Sequence, residues 1–304
     1  MNKKDRLIIT GGNGFIGQNL VEGLLKAGYA NIVIIDRTEK ISRVKTIQTD
    51  VSDIGKMKKI IQKGDTVVHL ACTTIPAYSE DDIIKDVDEN IVGTIKLLNV
   101  CSEKKIKKFI FLSSGGTVYG DHGRKSLKED EETNPICAHG LMKLTIEKYI
   151  KHYNLKYCLK YIIIRAGNPF GRTEVAKPQG AIDKYICAVC NNTAIEVWGD
   201  GEVTRDFIII DDLVDLIIKI VKSKIENQII NAGTGRGMSL NQIIAEIKKI
   251  IGKNVEVVYK KGRKFDLPYN VLNINKAKRL YCWQPKYSTA QGIKIAYNRT
   301  KTPN

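Results

Sequence analysis

The stretch Leu7-Ile8-Ile9-Thr10-Gly11-Gly12-Asn13-Gly14-Phe15-Ile16-Gly17, followed by the run Leu20 to Ala27, decides the fold. An apolar segment of strand length enters closely spaced glycines, and apolar residues then recur at helical spacing, so the stretch predicts a strand, a tight turn and an amphipathic helix. Glycines in such a turn have separate physical tasks. One allows φ above zero, one lets backbone come close to a pyrophosphate, and one lets the helix pack on the strand. Phosphate oxygens then face the N–H groups and the positive dipole end of the helix N-terminus, which points to Gly11, Gly14, Phe15, Ile16 and Gly17 as the cradle.

By itself Gly12-x-Gly14-x-x-Gly17 also fits a plain strand-to-helix connection. Its context is more specific. The next apolar run, Ile32 to Ile35, ends at Asp36, about twenty residues past the last glycine, where a carboxylate accepts hydrogen bonds from an adenosine ribose. That carboxylate repels a 2′-phosphate and favours NAD over NADP, while the adjacent Arg37 pulls the other way.

Further strand candidates are Lys45 to Thr49, Thr66 to Ala71, Lys108 to Leu112 and Tyr161 to Arg165, with helical spacing between them. Such alternation predicts an α/β fold, a Rossmann-type doubly wound parallel sheet built from βαβ units. Pro169, Gly171, Pro178 and Gly180 break the pattern, as does Gly233 to Gly237. The expected division is therefore a dinucleotide-binding domain of residues 1–167 plus 206–232. A smaller C-terminal α/β substrate-binding region would comprise 168–205 plus 233–304.

The 304 residues, 43% of them hydrophobic, suffice for a full core. No apolar run approaches the ~18 residues that would span a membrane, and the N-terminus lacks signal-peptide character. Seven cysteines, an odd number scattered through the predicted elements, agree with a reducing compartment, so a cytoplasmic protein is expected. The net charge of +16 is spread over many lysine-bearing helices rather than gathered on one aromatic-interleaved stripe. It fits attraction for an anionic small molecule better than nucleic-acid binding. Cys187-x-x-Cys190 has no second ligand pair at zinc spacing, so no metal is expected. The acidic run Glu129 to Glu132 reads as a solvated loop before Pro135.

Ligands of open α/β sheets bind at strand C-termini. There lie Leu70 and Ala71 in Val67-Val68-His69-Leu70-Ala71-Cys72, and Ser113 in Phe111-Leu112-Ser113-Ser114-Gly115-Gly116-Thr117-Val118-Tyr119-Gly120. Downstream follow His139-x-x-x-Lys143, Arg165-Ala-Gly-Asn168-Pro-Phe-Gly171, Gly199 to Phe207 with Arg205, and Asp211-Asp212. This ordered series resembles the extended short-chain dehydrogenase/reductase family, the nucleotide-sugar epimerases, dehydratases and dehydrogenases, from Arg6 to about Ile295. Within it the chain looks most like the GDP-heptose 4-dehydrogenases of bacterial capsule biosynthesis.

The resemblance implies NAD as cofactor and a nucleotide-diphosphate sugar as substrate. It also implies a homodimer through helices near Asp82 to Cys101 and His139 to Tyr153. Asp50 and Val51 resemble adenine contacts, and Lys143 resembles the lysine that binds the nicotinamide ribose. Asn168 resembles an asparagine near the sugar diphosphate, and Arg205 and Arg263 resemble the arginines that clamp it. A guanidinium fork matches paired phosphate oxygens.

The chain departs from the family at its centre. Tyr-x-x-x-Lys is here His139-Gly140-Leu141-Met142-Lys143, with imidazole in place of phenol. The customary serine or threonine is Gly115; because side chains alternate along an extended segment, Ser113 and Thr117 both point the way of that position, and Thr117 is the favoured replacement hydroxyl. Neutral imidazole is suited to take a proton near pH 7, and the positive charge of Lys143 disfavours imidazolium. The expected activity is NAD-dependent oxidation at C4 of GDP-D-glycero-D-manno-heptose to a 4-keto sugar nucleotide. The alternatives are a nucleotide-sugar 4-epimerase and a catalytically silent NAD-binding regulatory protein.

Overall fold

The computed structural model describes residues 5–39, 43–74, 80, 82–171, 180–263 and 266–301. Chain contacts divide it into two units. The first comprises Met1–Val118, Thr133–Arg165 and Val214–Ile230, the second Tyr119–Glu132, Ala166–Leu213 and Asn231–Asn304.

The first unit opens with β1 (Leu7–Thr10), α1 (Phe15–Lys26), β2 (Ile32–Asp36), β3 (Lys45–Gln48), α2 (Ile54–Ile60) and β4 (Thr66–His69). Next, α3 (Ile83–Asp86) runs through a π-helical stretch, Val87–Val92, into α4 (Gly93–Glu103), and β5 (Lys108–Ser114) follows. After β6 (Ser126–Leu127), which belongs to the second unit, come α5 (Ala138–Tyr157) and β7 (Tyr161–Ala166).

The second unit continues with β8 (Asn168–Phe170), α6 (Ala181–Cys190), β9 (Ile195–Trp198) and β10 (Thr204–Ile209). α7 (Ile210–Lys222) and β11 (Gln228–Ala232) carry the chain through the first unit. The remainder is β12 (Gly237–Ser239), α8 (Leu240–Ile251), β13 (Val257–Lys260), β14 (Tyr269–Leu272), α9 (Asn275–Tyr281) and α10 (Thr289–Lys301).

The seven-stranded sheet runs β11-β7-β5-β4-β1-β2-β3. β1 pairs in parallel with β2 (Leu7↔Ile32) and β4 (Leu7↔Thr66), β2 with β3 (Val33↔Lys45), and β4 with β5 (Thr66↔Lys108). Strand order reverses between β1 and β4, the position where open α/β sheets leave a crevice. Continuous burial of β1 and β4, and of β2 up to Asp36, reflects a sheet covered on both faces, whereas the edge strand β3 buries none of its residues fully. All six strands read from the sequence are present, and the fold class is α/β and Rossmann-type.

The domain limits differ from those expected. β10 pairs with β12, β14 and β8, so Asp206 to Leu213 stay with the second unit and the chain rejoins the first only at Val214. Ser126 and Leu127 pair with Val271 and Leu272, which takes residues 119–132 into the second unit as well. Asp206, wholly buried, accepts from Thr234 N (2.7 Å), Thr234 Oγ1 (2.6 Å), Gly235 N (3.0 Å) and Leu272 N (3.3 Å). Burial raises its pKa and these bonds oppose the rise. Beside it, a side chain at Gly233 would collide with the carboxylate. The Gly233 to Gly237 break is therefore a loop fastened to β10. Nor is the acidic run wholly solvated, since Glu129 accepts from the Asn231 N–H at 2.9 Å.

Candidate functional site

α1 begins at Phe15, earlier than the apolar run from Leu20 suggests, so Gly17 lies inside its first turn. Gly11 has φ +71°, and a Cβ there would sit 2.6 Å from Ala71 N and 2.9 Å from the Leu70 carbonyl carbon. At Gly17 a Cβ would strike the Gly11 carbonyl oxygen, and at Gly12 it would meet Ile34 Cγ2 at 2.6 Å. Gly11, Gly12 and Gly17 thus close the turn against β4, β2 and itself. Gly14 is the N-cap, without a side-chain cap, and no acidic residue occupies the first turn. That helix end keeps its positive dipole uncompensated, as a phosphate site requires.

Asp36 closes β2 and holds the loop: Oδ2 accepts from Asn13 N at 3.0 Å, and Oδ1 accepts from Thr38 N (3.0 Å) and Oγ1 (2.8 Å). A carboxylate has about four acceptor sites, so capacity for ribose hydroxyls remains. Asp50 lies beyond β3 with Oδ1 accepting from Ser52 N at 2.7 Å and Oδ2 paired with Arg37 Nε. Burial alone would raise its pKa, but the bonds from Ser52 and Arg37 prevail and lower it. The Cβ position of Gly93 lies 3.7 Å from Val51 Cγ2, which sets Val51 over the start of α4. The glycine turn, Asp36, Asp50 and Val51 all belong to the first unit.

At the end of β4, His69 is buried, its Nδ1 2.6 Å from Thr10 Oγ1 and its Nε2 2.9 Å from Thr94 Oγ1. Burial, and then the charge of Lys143, push its pKa down to about 3. His69 is a neutral internal tie between β1, β4 and α4. Leu70 N donates to the Thr10 carbonyl at 3.1 Å. Leu70 and Ala71 therefore lie directly against the Gly11 turn.

His139 and Lys143 lie one turn apart on α5, and both are buried at 7% exposure. Lys143 Nζ donates to the Leu112 carbonyl at 3.0 Å and stands 4.9 Å from the centre of the Phe111 ring, which ties it to β5. Burial first, and the Lys143 charge second, depress the His139 pKa to about 3. The ring is neutral at pH 7, as its neighbourhood in the sequence implied. The larger cause is desolvation, and the same desolvation makes the ring a weak proton acceptor.

Gly140 explains how the segment around Thr117 approaches α5. A Cβ at Gly140 would lie 2.5 Å from the Thr117 carbonyl oxygen and 2.9 Å from Pro135 Cβ. The helix start rests directly on this turn, and the Thr117 hydroxyl is buried with no hydrogen-bond partner among the described residues. The Thr117 backbone is thus held close to α5, with its hydroxyl uncommitted among the described residues.

Ser113 has a different occupation from the expected cofactor contact. Its Oγ donates to Glu147 Oε1 at 2.5 Å, and Glu147 also receives Arg165 Nε (3.1 Å, to Oε1) and Nη2 (2.7 Å, to Oε2). Both charged side chains are almost fully buried. This Ser113–Glu147–Arg165 set joins β5, α5 and β7, and the sequence reading missed it. The signal was present, because Glu147 follows Lys143 by the same interval as Lys143 follows His139.

In the second unit, Asn168 Nδ2 donates to the Asp206 carbonyl at 3.4 Å across the β8–β10 pair. Arg205 is mostly buried; its Nη1 donates to the carbonyls of Thr204 (3.0 Å) and Leu267, and its Nη2 faces Asp266 Oδ1 at 3.8 Å. Arg263 lies over Trp198, 4.4 Å from the ring centre. All three expected substrate residues thus belong to one unit, with each arginine braced by its surroundings. Cys187 and Cys190 lie one turn apart on α6. Among the described residues no group of three or more His, Cys, Asp or Glu side chains gathers as a metal site.

The sequence matches the NAD dependent epimerase/dehydratase family over residues 7–233. The chain belongs to that family. A protein of Methanocaldococcus jannaschii provisionally named UDP-glucose 4-epimerase is 32% identical, the match covering 98% of this chain and 99% of that protein. The UDP-glucose 4-epimerase of Thermotoga maritima, solved with UDP-glucose, superposes with a TM-score of 0.91 at 30% identity, over 97% of this chain and 98% of that one. The UDP-glucose 4-epimerase of Thermus thermophilus, solved with NAD, gives 0.90 at 25% identity, over 97% and 99%. The narrower resemblance to GDP-heptose dehydrogenases gains no support from these relatives, which are named for UDP-glucose. Among the described residues no helix is long and apolar enough to cross a membrane.

Proposed function

We propose that this member of the family is a UDP-sugar 4-epimerase, with NAD held by the first unit and the sugar nucleotide bound by Asn168, Arg205 and Arg263. The observation that carries chemistry at a sugar hydroxyl is the buried pair on α5. Lys143 is fastened to the end of β5, and a neutral His139 stands one turn before it. When bound, NAD supplies reversible hydride acceptance. Thr117 orients the C4 oxygen, His139 takes and returns its proton, and Lys143 holds the cofactor's ribose. Preference for UDP over GDP, and for epimerisation over net oxidation, rests on the named relatives.

One observation favours net 4-dehydrogenation as a second reading. Epimerisation needs proton removal and return at one oxygen, and both of the family's customary side chains for that exchange are replaced, by Gly115 and His139. Incubation with UDP-glucose, UDP-galactose and GDP-heptose, followed by NMR and by absorbance of reduced cofactor, separates the outcomes. Interconversion of UDP-sugars without accumulating NADH is expected. Stoichiometric NADH with a 4-keto product would replace the epimerase by the dehydrogenase. No turnover despite bound NAD would leave a regulatory binding protein.

A homodimer forms part of the same proposal. α3 and the adjoining π-helical stretch expose Ile83, Ile84 and Val87, and α5 exposes Leu141, Tyr149 and Leu155, on helices that pack together within the first unit. A second copy of this chain would cover these apolar side chains.

A further inference from the structure

We propose that Glu89, acting with Asp50, is a specificity-determining residue that draws Arg37 away from the adenosine ribose and so excludes cofactors carrying a 2′-phosphate. The inference rests on the reading that the first unit binds a pyridine dinucleotide, and it concerns which one.

Arg37 directly follows Asp36, so the end of β2 carries two opposed preferences. A carboxylate at this edge accepts ribose hydroxyls, whereas a guanidinium there pairs with phosphate. The geometry decides between them. Arg37 Nε is bonded to Asp50 Oδ2, and Nη1 donates to Glu89 Oε2 at 3.0 Å. The backbone at this point is fixed too, because the Arg37 carbonyl accepts from Gln48 Nε2 at 3.1 Å and Thr49 N donates to the Asp36 carbonyl at 2.9 Å. Only the side chain is left to choose a direction.

Asp50 is fixed by Ser52 N, and Glu89 projects from the π-helical stretch Val87–Val92, whose wider turns shift its side-chain positions relative to an ordinary helix. Neither bridge is buried, the side-chain exposures being 47%, 27% and 23% for Arg37, Asp50 and Glu89. Each alone is worth little in water. Two carboxylates on one guanidinium nevertheless engage separate edges of its fork, and moving Arg37 to a phosphate would break both contacts.

Charge acts in the same direction. Asp50 and Glu89 pair with one guanidinium and Asp36 precedes it in the chain, so the local charge is net negative and a 2′-phosphate of charge about −2 is repelled. Removing the Glu89 charge lowers that repulsion and frees one edge of Arg37. Asp36, with one oxygen bonded to Asn13 N and the other to Thr38 N, continues to receive the ribose.

The test titrates NADH and NADPH into nucleotide-stripped wild type, Glu89→Gln, Arg37→Ala and the double variant, following transfer of protein fluorescence to the reduced nicotinamide. Melting temperature confirms folding. Glu89→Gln is expected to lower the ratio of NADPH to NADH dissociation constants about tenfold, with NADH affinity changed less than about threefold. Adding Arg37→Ala is expected to remove most of that gain, leaving only the part that comes from lowered repulsion. An unchanged ratio in Glu89→Gln would overturn the inference, as would a gain that survives loss of Arg37 undiminished. Failure of wild type to bind NADH refutes the dinucleotide reading itself.

Discussion

Replacing His139 by Phe isolates the ionisation of the ring at the centre of the site. In the unfolded chain an imidazole titrates near 6.5, whereas burial and Lys143 bring the folded value to about 3. The depressed folded value means that the unfolded chain binds more protons below pH 6.5, so the stability associated with the neutral ring is present above that pH and lost as pH falls toward 3. From pH 6.5 to 5 the loss is about 2 kcal/mol, at ~1.4 kcal/mol per unit. The assay is urea denaturation followed by circular dichroism at pH 7.5 and pH 5. Wild type should lose about 2 kcal/mol more than His139→Phe over this interval. His69, also held near 3, contributes equally in both proteins and cancels. Equal losses would show that the position-139 ring titrates normally in the folded protein, and the argument for a desolvated imidazole would fail. The same reasoning expects no inflection from His139 in the pH–rate profile between about pH 5 and 8.

Arg165→Met leaves Glu147 buried without its guanidinium and should cost about 3–5 kcal/mol in chemical denaturation. Adding Glu147→Leu should recover much of that loss, since replacing a whole buried pair is often neutral. Gly140→Ala forces a methyl against the Thr117 carbonyl at 2.5 Å; about 1–3 kcal/mol of stability should be lost, with a fall in turnover, as measured by thermal melts and the NMR assay. Leu141→Glu, at a side chain 59% exposed, should leave the fold intact by circular dichroism while shifting mass by light scattering from dimer to monomer. An unchanged mass would reject that face as the contact.

Much of the dinucleotide half was legible because its signals are local. The strand of Leu7 to Thr10 must be buried, Gly11 must adopt positive φ, and Asp36 must follow one βα unit later, all within short chain separations. The same holds for the i, i+4 relation of His139 and Lys143. What the chain order could not disclose is the destination of polar side chains. Ser113 lies at a strand C-terminus where a ligand contact is expected, but its hydroxyl reaches Glu147 because α5 crosses β5 at that point. Asp206 reads as the way back to the first domain, yet its carboxylate gathers N–H groups from Thr234, Gly235 and Leu272 and keeps β10 in the second unit.

The sequence by itself determined the α/β alternation, the glycine turn and the replacement of phenol by imidazole, because periodicity, φ preference and residue identity are properties of neighbouring residues. Only the tertiary structure decided that this imidazole is desolvated, that Thr117 rests on Gly140, and that Arg37 turns toward Asp50 and Glu89. Ionisation and hydrogen-bond partnership depend on atoms brought together from distant parts of the chain, and packing, not sequence order, sets those distances.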